Sequence, residues 1–219
     1  FGFPASLPSI LAHCGVRGFS TQKLTWGSAV GIPFDVGQWK GPDGNSVIAA
    51  LNPGSYTGKV RKDLSHDDDW LSTCESLGDE TGLYAAYHYY GVGDRGGAPQ
   101  ESSVEWIEKS VDSDGPIKVI SSKADQLFRD ITDEQKAKLP TYEGDLLLTE
   151  HSAGSITSQS YMKRWNRMNE VLADAAEKAS VAAHLTGAVP YSRKRLYDAW
   201  GLVLGCQFHD IIPGTSIPE

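Results

Sequence analysis

The chain has 219 residues, enough for one large domain or a domain and a half, and its 40% hydrophobic and 22% charged content is that of an ordinary globular protein. A formal net charge of -8 and a pI near 5.2 argue against nucleic acid as a partner, because phosphate backbones are bound by concentrated positive charge. No apolar run approaches the roughly 18 to 20 residues of a membrane helix, and Cys14, Cys74 and Cys206, odd in number and without Cys-x-x-Cys spacing, read as buried thiols.

In chain order, residues 4–13 read as a helix and 18–26 as a strand. Residues 46–51 form a second strand candidate, closed by the turn Asn52-Pro53-Gly54. Residues 67–77 read as a helix whose opening aspartates suit a helix N-terminus. The aromatic run 83–90 is β-prone; 101–111 is helical, 117–121 a strand, 123–138 a helix and 144–149 a strand. This alternation predicts an α/β fold, barrel-like with a mostly parallel sheet and active groups at strand ends.

After Ser155 the pattern changes. Met162, Trp165, Met168, Leu172, Ala176, Ala179 and Ala183 recur at helical spacing to about residue 185. A second helix, 192–208, follows the break at Gly187 and Pro190, with Ser192 as its expected N-cap. Two long helices joined by a short turn begin an α-helical bundle, and the expected domains are 1–154 and 155–219. The basic residues Lys163, Arg164, Arg167, Arg193, Lys194 and Arg195 interleave with apolar helix positions and read as a solvated face.

Two segments stand out chemically. At the end of the last helix, His209 and Asp210 lie side by side ahead of Pro213-Gly214, which is expected to stop the helix and fix where they point. Metal ligation and an ordinary helix-end histidine are both open there. Gly91-Val92-Gly93-Asp94-Arg95-Gly96-Gly97 matches the Gly-x-Gly-x-x-Gly of dinucleotide-binding proteins. Asp94 would oppose a pyrophosphate, however, and the next helix starts near Pro99 or Glu101, too late to offer its amides. The glycines can instead bring one carboxylate close to a ligand, or Asp94 can simply close a turn.

Five segments together resemble the glycoside hydrolase family 38 α-mannosidases. Gln207-Phe208-His209-Asp210 with Gly214-Thr215 resembles the family's zinc-ligand segment. Tyr90 to Gly97 resembles its Tyr-Gly-x-Gly-Asp-Gly-Gly-Gly loop, with Arg95 in place of a glycine. Phe1-Gly2 resembles the end of its Asp-x-Phe-Gly run, and Thr21-Gln22-Lys23 its Thr-Gln-Lys segment. Glu143 to Gln159, with Lys163-Arg164, resembles its Gly-Glu-Leu-Tyr-x-Glu-x-His-(Arg)-Gly-Thr-Tyr-Thr-x-Gln stretch, with Ser152-Ala153 where an Arg usually stands.

The resemblance implies a retaining, Zn2+-dependent α-mannosidase acting on mannose-containing glycans or oligosaccharides. Asp94 would be the acid/base, Lys23 an electrostatic support for the catalytic carboxylates, His209 a metal ligand and Asp210 a contact to sugar hydroxyls. Trp39 and Trp26 are available as sugar-stacking platforms, although as core aromatics they need no such role. The nucleophilic aspartate and a His-x-Asp zinc pair would lie upstream of Phe1, so the chain is expected to be a fragment that is inactive alone. The resemblance favours a periplasmic, secreted or lysosome-like compartment over the cytoplasm and leaves a homo-oligomer open. The alternatives are an NADP-binding oxidoreductase domain and a non-catalytic carbohydrate-binding relative.

Overall fold

A computed structural model describes residues 2–94, 96–151, 153–155 and 157–216. Phe1, Arg95, Ser152 and Ile156, which enter the sequence reading above, lie outside the described residues. The chain divides into two compact units, residues 2–151 and residues 152–219 with Phe1.

The first unit opens with β1 (Gly2–Phe3), α1 (Leu7–His13) and β2 (Gly18–Ser20), followed by a 3-10 turn at Lys23–Trp26. The strand expected over 18–26 is therefore shorter, because Thr21 turns the chain away after one bond to the Ala50 carbonyl. Then come β3 (Val36–Lys40) and β4 (Ser46–Ala50), an antiparallel hairpin around Gly41-Pro42-Asp43-Gly44-Asn45. Gly44 takes the left-handed φ of 85° that the turn requires. Asp43 ties the hairpin to α1, accepting from the Ser9 hydroxyl at 2.5 Å and lying 2.9 Å from His13 Nε2.

Next are α2 (Asp68–Thr81), α3 (Glu101–Asp112), α4 (Gln126–Asp130), α5 (Asp133–Lys138), β5 (Thr141–Glu143) and β6 (Leu146–Leu147). Asp67 caps α2 through the amides of Asp69 and Trp70, and Gly82 ends it in the left-handed conformation. The single helix expected over 123–138 is broken at Ile131-Thr132, where Thr132 and Gln135 form a capping box that restarts the helix as α5. Residues 83–90 and 117–121 form no strand; the second makes one backbone bond, from the Ile117 amide to the Ser65 carbonyl, in place of a ladder.

The sheet order is β2-β4-β3-β5, with β2/β4 and β3/β5 parallel and β3/β4 antiparallel; β1 and β6 form a separate antiparallel pair. The sheet is thus small and mixed rather than mostly parallel, and the described strands close no barrel. β4 is apolar from Val47 onward because both its faces are covered there. Ala49 and Leu51 point into a cluster with Leu24, Phe34, Trp39, Leu146 and Leu148, whereas Ile48 and Ala50 join Val36, Leu77, Leu83 and Leu139 on the other side.

The second unit holds α6 (Ser160–Leu185) and α7 (Arg193–Cys206). The helices are joined by glutamate bonds: Glu177 accepts from the Tyr191 hydroxyl at 3.0 Å and the Trp200 indole at 3.0 Å. Ser192 precedes α7 without a side-chain capping bond, because its φ and ψ of -85° and 54° are not those of a cap. The cysteines are not uniformly buried: Cys14 and Cys206 are exposed, Cys74 is half-buried and all three are free thiols. No helix among the described residues is long and apolar enough to cross a membrane.

Candidate active site

In the first unit the site forms where three loops meet beyond the end of β2. Thr21 and Gln22 are buried at 8% and 4% exposure, and they hold the 3-10 turn against the sheet. Lys23 projects from that turn with Nζ 3.9 Å from the Trp26 ring centroid and 5.4 Å from that of Tyr56, both within cation-π reach. Trp26 meets His151 edge-on at 4.7 Å. His151 is brought there by antiparallel pairing of residues 27–29 with 147–149, through the amides of Ala29 and Thr149.

The second loop follows β4. Tyr56 rides on it, its backbone amide donating to Gln22 Oε1 at 2.9 Å. The third is the aromatic segment after Leu83. Instead of forming a strand it runs beside the second loop through isolated bonds, Tyr89 amide to Pro53 carbonyl at 2.7 Å and Gly91 amide to Gly58 carbonyl at 2.9 Å. The Ser20 and Tyr89 hydroxyls pair with each other. These bonds deliver Asp94, which adopts a left-handed φ of 65°, to the Tyr56 hydroxyl, which donates to Asp94 Oδ1 at 2.9 Å. Gly93 is needed for this approach, since a side chain there would collide with the Tyr56 ring. α3 begins only at Glu101, so the glycine loop does not run directly into a helix N-terminus, as a dinucleotide site requires.

The charges are coupled. Partial burial lowers the Lys23 pKa from that of a free lysine, and the Asp94 carboxylate opposes the shift. The Tyr56 phenol is raised, chiefly because its proton is held by Asp94. The arrangement therefore presents one exposed carboxylate on a glycine loop, a hydroxyl that orients it, a cation nearby and an accessible indole.

Of the sequence-predicted residues in this unit, Asp94 and Lys23 come together as expected. Trp39 does not join them, and its expected sugar-binding role is corrected. It has 0% exposure, packs against Phe19 at 5.1 Å and donates its indole N–H to the Gly144 carbonyl at 2.9 Å, so neither ring face is open to a sugar. Trp26, at 37% exposure, is the accessible indole. Tyr56 was not singled out from the sequence. Its only signal was an aromatic hydroxyl in the loop Pro53-Gly54-Ser55-Tyr56-Thr57-Gly58, whose glycines and proline mark an exposed turn.

In the second unit, α7 ends at Cys206, ahead of Pro213-Gly214, and residues 207–214 continue as turns in which Ile211 and Ile212 amides bond the Phe208 carbonyl. Pro213-Gly214 therefore does not stop the helix. The turn carries His209 and Asp210, both exposed, with His209 Nε2 3.5 Å from Asp210 Oδ2. It is anchored at both ends. On one side Gln207 Nε2 donates to Glu170 Oε1 at 2.8 Å. On the other, Lys163 Nζ donates to the carbonyls of Pro213 and Ser155, each at 2.8 Å, and to that of Ser158. The Gly214 carbonyl accepts from Gln159 Nε2 at 3.1 Å and Ser158 Oγ at 3.3 Å. An exposed imidazole beside a carboxylate has the donor chemistry of a zinc ligand pair. No group of three or more His, Cys, Asp or Glu side chains that could hold a metal occurs among the described residues.

Two family profiles cover the chain: "Glycosyl hydrolases family 38 N-terminal domain" over residues 1–145 and "Alpha mannosidase middle domain" over residues 150–219. Human "Alpha-mannosidase 2C1" is 31% identical over 218 residues, which are 99% of this chain and 20% of the relative. "Alpha-mannosidase G" of Dictyostelium discoideum is 31% identical over 217 residues, 99% of this chain and 19% of that protein. The chain thus spans about a fifth of the length of these curated relatives. In fold, it is similar to the crystal structure of an alpha-mannosidase from Enterococcus faecalis, with a TM-score of 0.61 and 20% identity over 99% of this chain and 25% of that one. The chain belongs to glycosyl hydrolase family 38, a class of glycoside-cleaving enzymes.

Proposed function

We propose that the whole protein is a retaining α-mannosidase that removes terminal α-mannosyl residues from glycans, and that this chain supplies its acid/base, Asp94. The observation that carries the reading is the Tyr56-bound carboxylate of Asp94, set on a glycine loop beside Lys23 and an open Trp26 in a family 38 chain. Asp94 protonates the leaving oxygen, and in the second step the same carboxylate takes a proton from water. The Tyr56 hydroxyl fixes which oxygen of Asp94 faces the substrate. Lys23 would keep the nucleophilic carboxylate ionised, and Trp26 offers a face on which a sugar ring can stack.

Retention requires a second carboxylate as nucleophile beside Asp94. Zinc, when bound, supplies Lewis-acid polarisation of sugar oxygens. His209 would be one of its ligands, completed from outside this chain, with Asp210 beside it for sugar hydroxyls.

The test uses protein expressed from the complete reading frame. It should hydrolyse p-nitrophenyl α-mannoside with retention, read by NMR of the first-formed anomer. Asp94→Ala should lose far more kcat/KM on a mannobiose, whose leaving group needs a proton, than on a dinitrophenyl α-mannoside, and azide should restore turnover of the latter. Equal losses on both substrates without azide rescue would remove Asp94 from the acid/base role.

A further inference from the structure

Gln22 lies directly before Lys23, yet nothing in the chemistry above requires a carboxamide there. Its side chain is buried, with only 4% of the residue exposed. Oε1 accepts from the Tyr56 amide at 2.9 Å, and buried Nε2 has no hydrogen-bond partner among the described residues. The orientation is not interchangeable. Turning the amide over would set an NH2 against the Tyr56 N–H, donor against donor, so the acceptor must face Tyr56 and the unpaired donor is the consequence. Burying an unpaired donor is destabilising, and an apolar side chain of the same volume would avoid it. What a glutamine offers in return is the acceptor for Tyr56.

The anchor at the other end is rigid. The Thr21 amide bonds the Ala50 carbonyl at 3.1 Å, at the end of β4, and the Gln22 carbonyl accepts from the Thr25 amide at 3.1 Å and the Thr25 hydroxyl at 2.7 Å. Gln22 is therefore fastened to the sheet, while Tyr56 sits on a loop that also carries Gly54 and Gly58. The Oε1 bond joins that loop to the sheet at the residue whose hydroxyl meets Asp94.

We propose that Gln22 is the positioning residue of the acid/base pair: its buried carboxamide holds the Tyr56 backbone where the Tyr56 hydroxyl meets Asp94. The proposal rests on the mannosidase reading for its kinetic consequence, but not for its structural one. Among the described residues, the ionisable groups facing Asp94 are Tyr56, through the hydrogen bond, and Lys23, through its charge; His151 stands one ring further off, against Trp26.

The experiment compares protein from the complete reading frame with Gln22→Met, which keeps the volume and removes the acceptor, Gln22→Leu as a second variant, Tyr56→Phe and the Gln22→Met/Tyr56→Phe double variant. Without the Tyr56 donor, the Asp94 carboxyl is no longer oriented toward the leaving oxygen, so kcat falls on a substrate that needs the proton while KM is little changed. Gln22→Met should, like Tyr56→Phe, lower kcat on a mannobiose about 10-fold with KM little changed, and should add less than a further ~2-fold loss when combined with Tyr56→Phe. Hydrogen exchange at the Tyr56 amide should be faster in Gln22→Met, a readout that needs no activity. A loss in KM rather than in kcat, additive losses in the double variant, or unchanged exchange at Tyr56 would each overturn the proposal. A parent that exchanges as expected but cleaves no mannoside would instead sink the mannosidase reading and leave the Gln22 anchor standing.

Discussion

Trp39 offers the sharpest test of the division between core and site, because the sequence makes it available to a sugar and the structure buries it. With 0% exposure and its N–H on the Gly144 carbonyl, it joins β3 to the turn between β5 and β6. Replacing it with phenylalanine keeps most of the apolar area, so the dominant loss is the hydrogen bond that leaves the Gly144 carbonyl without its indole donor, about 1–3 kcal/mol. Alanine removes the ring altogether; for a fully buried tryptophan, the lost transfer energy and the cavity together cost about 3–5 kcal/mol. Urea denaturation followed by far-UV circular dichroism should show the midpoint falling in the order wild type, Trp39→Phe, Trp39→Ala at a constant slope. Well below the melting temperature, KM for an α-mannoside should be unchanged in Trp39→Phe, whereas Trp26→Ala should raise it. A raised KM in Trp39→Phe with an unmoved midpoint would refute the reasoning and return Trp39 to the sugar.

Two further outcomes follow from the local chemistry. His209→Ala in the complete protein should strip bound zinc, as metal analysis would show; full zinc occupancy with a lowered melting temperature would make the imidazole structural. The Asp63 carboxyl is held down at about 2 by the Ser65 and Ser113 hydroxyls, so its contribution to stability is present above the ordinary aspartate range and disappears as pH falls through that range toward 2. Melting temperature measured against pH should therefore fall less steeply between about pH 4 and 2 in Asp63→Asn than in the parent. Parallel curves would show that the Asp63 bonds do not distinguish the two protonation states.

Elements fixed by one dominant local pattern were legible in the sequence. The acidic opening of α2, the periodicity of α3, α6 and α7 and the apolar run from Val47 to Leu51 each admit one reading. β3 was missed because Gly37 and Gln38 interrupt its apolar pattern, although Pro42-Asp43-Gly44 is a turn signal that a hairpin would have explained. Residues 83–90 were misread for the opposite reason. Their tyrosines suit a strand, but three of them are spent on hydroxyl bonds, Tyr84 to the Asp79 carboxylate, Tyr87 to the Ala124 carbonyl and Tyr89 to Ser20, and no strand among the described residues pairs with them. At the site, Asp94 and Lys23 were visible through local motifs. Tyr56 was not, since its role arises where segments far apart in the chain meet.

The three carbonyls gathered by Lys163 have a consequence for how this protein can change over generations. One ammonium measures the stretch from Ser155 to the first turn of α6 against the turn that ends at Pro213, so the two must keep a common length. An inserted residue in either would leave at least one carbonyl out of reach and displace the His209 turn. The tip between α6 and α7, by contrast, is tied to no such knot at Gly187, where nothing lies within 4 Å of an added side chain. Length variation among homologous chains should therefore collect at that tip and be absent from 155–163 and 207–214, so that α6 and α7 can lengthen or shorten while the His209 turn keeps its place.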